Sequence, residues 1–88
     1  MQVLALIDFD PVSGAATGHR LVDPSAPHLR VTDLAATRGD GVFETASVVN
    51  GRVQALDAHL VRLDESARML ELPAPDLSVW RDAVLAVA

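Results

Sequence analysis

Read for the spacing of its apolar positions, the chain changes period near residue 56. Before that point the apolar residues come in short runs. "QVLALIDF" (2–9) is a short continuous apolar run with β-branched members, the pattern of a buried strand. "DPVSGAATG" (10–18) gathers Pro, Gly and Ser and predicts a loop, with "HRLV" (19–22) as a returning strand. "DPSAP" (23–27) predicts a second turn, and "HLRVT" (28–32) another short strand. The sharpest local signal is "VFETASVVNGRVQAL" (42–56). Asn50-Gly51 suits the positive φ angles of a type I′ two-residue turn, so a β-hairpin is expected over 42–56. That turn sets the register: Val49 opposite Arg52, Val48 opposite Val53 and Ser47 opposite Gln54. One face then carries Glu44, Ala46, Val48, Val53 and Ala55, the other Phe43, Thr45, Ser47, Gln54 and Leu56. The second face mixes apolar with hydroxyl and amide groups. That pattern is shared by the wall of a ligand site and by an ordinary half-solvated sheet face.

From residue 56 the period becomes helical. Leu56, Leu60, Leu63, Ala67 and Leu70 form one apolar stripe, with Asp57 as the expected N-cap of a helix over 57–71. His59, Arg62 and Ser66 fall along one flank of it; Arg62 lies roughly 110° from the stripe's centre. Asp64, Glu65 and Arg68 point outward. Pro73 and Pro75 interrupt the pattern, and Asp76 is placed to cap a second helix over 76–88, with Leu77, Trp80, Val84 and Val87 on its apolar face. No terminating signal precedes Ala88. The expected fold class is α+β: a small antiparallel sheet with a hairpin, followed by two helices.

Composition narrows the chemistry. Eighty-eight residues make one small domain at most, with a thin core. Only Phe9, Phe43 and Trp80 are aromatic, so that core is mostly Leu, Val and Ala. The net charge is −5, all seven basic residues are Arg, and no basic run exists to follow a phosphodiester backbone, which argues against a nucleic-acid partner. Without Cys there is no thiolate metal site and no thiol nucleophile. His19, His28 and His59 are too scattered for a metal site. The N-terminal apolar run is too short for a secretory signal, and no stretch approaches the ~20 apolar residues of a membrane span; a cytoplasmic location is expected. "GDG" (39–41) precedes a strand rather than a helix, which disfavours a phosphate loop, and "RGD" (38–40) is a chance tripeptide. Asp8 and Asp10 read as a solvated turn rather than an acid pair. Taken alone, Arg62 reads as an ordinary solvated helical arginine, and His59 and Ser66 as a polar helix flank.

"RGDGVFET" (38–45), followed by "NGRVQALDAHLVRLDESARMLELPAPD" (50–76), resembles the N-terminal part of the class IV aminotransferases, the fold-type-IV enzymes that use pyridoxal 5′-phosphate. The layout "PHLRVTDLAATRGDGVFET" (27–45) is most similar to the 4-amino-4-deoxychorismate lyase branch. The resemblance implies that Arg62, in the HLxRL motif, binds the cofactor phosphate, and that Phe43 and Thr45 belong to the substrate pocket. Phe43 stands where several relatives have Tyr, so a tyrosyl hydroxyl is not available there. His59 opens the same motif and takes a structural role. The resemblance also implies a homodimer acting on a small amino substrate. As a lyase it would convert 4-amino-4-deoxychorismate to 4-aminobenzoate and pyruvate for folate synthesis. A branched-chain or D-amino acid aminotransferase is the alternative.

Family chemistry needs a Lys that condenses with the cofactor aldehyde and then moves the proton. This chain has no Lys, and Arg, always protonated near neutral pH, cannot replace it. The expectation is therefore a truncated N-terminal domain, inactive alone, whose C-terminal cofactor-binding domain is absent. A non-catalytic interaction domain is the reading from a different class.

Overall fold

The computed structural model describes residues 2–30, 32 and 41–88. Its element order is β1 (Leu4–Phe9), β2 (Ala16–Val22), β3 (Val48–Val49), β4 (Arg52–Val53), α1 (Leu56–Met69) and α2 (Leu77–Val87). The antiparallel sheet with a hairpin and two helices agrees with the expected α+β class.

β1 and β2 form a long antiparallel pair, running from Leu4 opposite Val22 to Phe9 opposite Ala16. A bulge next to Asp8 and Phe9 leaves Thr17 as the extra residue, and its hydroxyl donates to the Asp8 carbonyl (3.2 Å). The returning strand starts three residues earlier than expected because the loop closes tightly on itself. The Asp10 N–H donates to Ala15 O and the Gly14 N–H to Asp10 O, both at 2.8 Å, while the Asp10 carboxylate accepts from the Val12 N–H at 2.8 Å. Gly14 takes φ +75°. Asp8 is paired with Arg20 (2.8 Å), so neither aspartate belongs to an acid pair. Residues 28–30 are not strand, and residue 31 of the expected third strand lies outside the described residues, as do 33–40 with most of the "GDG" and "RGD" stretches.

The second hairpin turns where Asn50-Gly51 requires it, with φ of 52° and 75°, and in the expected register. Its ladder is much shorter than 42–56: only Val48–Val53 and Val49–Arg52 pair as strands, extended by one bond from the Gln54 N–H to Ser47 O (2.8 Å). Beyond that, Val42 to Ala46 run past α1 instead of pairing with 55–56, because Ala55 adopts φ +53° and swings the chain into the helix. Ala55, not Asp57, is the N-cap. Asp57 sits in the first turn, where it suits the helix dipole and pairs with Arg81 of α2.

α1 ends at Met69, two residues before the expected 71, in a Schellman turn. The Leu72 N–H donates to Ala67 O (2.9 Å) and the Glu71 N–H to Arg68 O (3.1 Å), with Glu71 at φ +56°. This turn carries Leu70 off the stripe: it is 52% exposed rather than buried. Asp76 caps α2 as expected, its carboxylate accepting from the Ser78 and Val79 N–H groups. α2 lies on β1 and β2 and crosses α1. Leu60, Ala67 and Ala83 are the buried apolar residues of the described part; Val87, expected on the inner face, is 37% exposed. The core is as thin as composition suggested.

Candidate functional site

The polar flank of α1 meets Glu44, the one charged residue in the apolar and hydroxyl stretch 42–49. Glu44 comes alongside α1 because its segment leaves the ladder and follows the helix. Arg62 donates from Nε to Glu44 Oε1 (3.2 Å) and from Nη2 to Oε2 (3.1 Å), a side-on bidentate fork. His59 Nδ1 lies 2.9 Å from the same Oε2. An ionised carboxylate only accepts, so the Nδ1 position carries the proton and donates. Three residues apart on the helix, His59 and Arg62 project to one side and reach one carboxylate.

The two sides of this cluster are unequally covered. The Glu44 and His59 side chains are 18% and 21% exposed, whereas Arg62 is 61% exposed. The hydrogen bond from His59 leads, and with that from Arg62 holds the Glu44 carboxyl below its ordinary 4.5 against an opposing push from partial burial. Glu44 is thus an anion with both oxygens committed. Arg62 keeps its Nη1 amino group and one Nη2 hydrogen uncommitted among the described residues.

Inside the cluster lies an apolar cleft of about 450 Å³, walled by Phe43, Thr45, His59, Leu60, Trp80 and Val84 among others. The structure therefore brings Phe43 and Thr45 into one cleft with His59. Glu44 also lines the cleft, and Arg62 does not. Phe43 is 84% exposed, an aromatic face without cover among the described residues. Among the described residues Ser66 makes no side-chain hydrogen bond, and it belongs to the helix flank. The residue that sequence reasoning missed is Glu44, and a signal was there: a lone acid in an apolar run needs a cationic partner, and two nitrogenous side chains wait on the next helix. Among the described residues no group of His, Asp and Glu is arranged to hold a metal, and no helix is long and apolar enough to cross a membrane.

The amino-transferase class IV family model matches residues 41–88, over half of the chain, and the chain belongs to that family. It is 55% identical over 64 residues to the bifunctional aminodeoxychorismate lyase / D-amino acid transaminase of Mycobacterium tuberculosis, a match covering 73% of this chain and 22% of the relative. Its fold superposes on a fold IV-transaminase from Curtobacterium pusillum with a TM-score of 0.77 at 58% identity, over 78% of this chain and 23% of the other. It superposes on the PLP-bound form of a hypothetical aminotransferase from Mycobacterium tuberculosis with a TM-score of 0.74 at 52% identity, over 76% of this chain and 24% of the other. The chain thus spans between a fifth and a quarter of the length of these relatives.

Proposed function

We propose that these residues serve as the small N-terminal domain of a pyridoxal 5′-phosphate enzyme, and that Arg62 provides one arm of the cofactor-phosphate site. The observation that carries this reading is a guanidinium held by a bidentate carboxylate while its remaining donors stay exposed at the helix flank. Planar, uncommitted N–H groups at a fixed position suit a phosphate monoester. The residues present fit one end of the cofactor only. No Lys exists in the chain to meet the aldehyde, so the amine must come from the part of the enzyme that the relatives have and this chain does not span.

Pyridoxal phosphate, when bound, supplies an aldehyde for the substrate's amino group and a conjugated ring that acts as an electron sink. This chain's own residues bind and shape. Arg62 anchors the anionic end. Phe43 offers an apolar wall that keeps water from the reacting face. The Thr45 hydroxyl, on the same cleft, can donate to or accept from a polar substrate group.

For the reaction we favour lyase chemistry on 4-amino-4-deoxychorismate, releasing pyruvate and leaving 4-aminobenzoate for folate synthesis. The resemblance at 27–45 and the bifunctional relative support it. D-amino acid transamination is the second reading, supported by that relative's other activity and by a D-amino-acid transaminase of Arabidopsis thaliana, 45% identical over 53 residues. A homodimer in the cytoplasm belongs to the same proposal.

The complete gene product should develop a visible absorbance band with pyridoxal phosphate, and residues 1–88 alone should not. It should bind pyridoxal phosphate more tightly than pyridoxal, and Arg62→Ala should collapse that preference. A variant that keeps the wild-type preference would remove Arg62 from the phosphate site. Pyruvate release from 4-amino-4-deoxychorismate, set against amino transfer from D-alanine, separates the two reactions.

A further inference from the structure

Glu44 already has a hydrogen-bond donor in His59, so its Oε2 has a partner without Arg62. Nor does the Arg62–Glu44 pair add much to stability, because a guanidinium this exposed is screened by water and salt. What the second contact does fix is direction. An arginine side chain of four rotatable bonds, free on a helix surface, samples many orientations and must give them up to bind a ligand. The fork from Nε and Nη2 to both Glu44 oxygens removes that freedom in advance and leaves the Nη1 end to be used. His59 in turn fixes the carboxylate from the cleft side.

We propose that Glu44 is the positioning residue for Arg62: its carboxylate, held by His59, grips one edge of the guanidinium so that the opposite end meets a phosphate monoester. The inference rests on the phosphate reading of Arg62 and assigns it a support residue on a different element. Glu44 acts through Arg62 and does not touch the ligand. Its negative charge works against a phosphate dianion, but both oxygens are turned to cationic or N–H partners, so orientation outweighs the residual repulsion.

The test measures dissociation constants of pyridoxal phosphate and pyridoxal for the complete gene product and its variants; pyridoxal lacks only the phosphate. Glu44→Gln should lower the preference for the phosphorylated form on the order of tenfold, the size expected for losing a charge-assisted hydrogen bond, while the affinity for pyridoxal stays near wild type. A lesion of the fold would weaken both ligands together. Glu44→Asp keeps the charge but draws it back by one methylene, and should give an intermediate preference; it also carries the test should Gln impair folding. If Arg62→Ala collapses the preference while both Glu44 variants keep it or strengthen it, the positioning role is overturned and the phosphate site stands. If Arg62→Ala leaves it unchanged, the phosphate reading falls and the positioning role with it.

Discussion

The two hairpins of this domain are built on opposite terms. β1–β2 runs through a long ladder whose turn, at 10–15, gives only a diffuse loop signal in sequence. β3–β4 has the strongest turn signal in the chain and only two strand pairs. The difference is what lies on them. α2 packs on both β1 and β2, so that ladder has a helical partner. β3–β4 stays exposed at Val48 and Val49, and its outer segment breaks away to meet α1 through Glu44. Turn chemistry decides where a chain reverses; packing decides how far the two arms stay together. Here the loosely paired hairpin is the one that delivers the site, because an arm released from its ladder is free to place Glu44 beside Arg62.

The largest test of this contrast is Ala83→Asp. Ala83 is 6% exposed on the inner face of α2, and among the described residues no polar or charged side chain is buried to meet a carboxylate there. We expect a loss of about 3 kcal/mol or more. Amide exchange should accelerate across Leu4–Phe9 and Ala16–Val22, the strands that α2 covers. Unaltered protection of those strands would mean that their ladder does not depend on the helix.

Next in size is the cap of the same helix. Hydrogen bonds from the Ser78 hydroxyl first, then from the Val79 and Ser78 N–H groups, hold the Asp76 carboxyl below its ordinary 3.8. A depressed carboxylate stabilises the fold in full above its unfolded value and loses that contribution as pH falls through the folded value. Asp76→Ala should therefore lower the melting temperature by roughly 5 °C at neutral pH. The gap to wild type should close once the pH is taken well below 3.8. A gap that persists unchanged in acid would show that the carboxylate's charge plays no part.

How much of this was legible follows the same division. The Asn50-Gly51 turn, its register and the Asp76 cap were readable because each is a local preference with a local cause. The extent of β3–β4, the N-cap at Ala55 and the exposure of Leu70 were not. Each depends on a left-handed residue, Ala55 or Glu71, that its own side-chain propensity would not place there. At the site, Arg62, Phe43 and Thr45 came from family resemblance. Glu44 needed the fold: it lies eighteen positions before Arg62 in sequence, and the released arm brings them together.

The turns themselves give a matched pair of smaller effects. Gly14 and Gly51 both adopt φ +75°, and an added Cβ would meet nothing within 4 Å at either, so Gly→Ala probes backbone strain alone. Each should cost about 1 kcal/mol. Gly14→Ala should leave β1–β2 protected, since α2 still holds it. Gly51→Ala should expose the Gln54 amide, which donates to Ser47 O, and, by loosening the arm that carries Glu44, weaken the preference for pyridoxal phosphate over pyridoxal. Equal local loss at both hairpins would erase the distinction drawn between them.

The smallest expected effect has the opposite sign. Glu71 occupies the C′ position of the Schellman turn that ends α1, at φ +56°, where a side chain crowds its own backbone. Glu71→Gly relieves that crowding while keeping both turn hydrogen bonds, which are made by the backbone. The greater freedom of glycine in the unfolded chain offsets part of the gain, leaving a stabilisation on the order of 0.5–1 kcal/mol. Because the turn lies at the far end of α1 from His59 and Arg62, ligand preference should not change while the melting temperature rises. A destabilised variant would mean that the Glu71 side chain makes a contribution larger than the strain it imposes, and the end of α1 would then be set by that side chain rather than by the backbone turn.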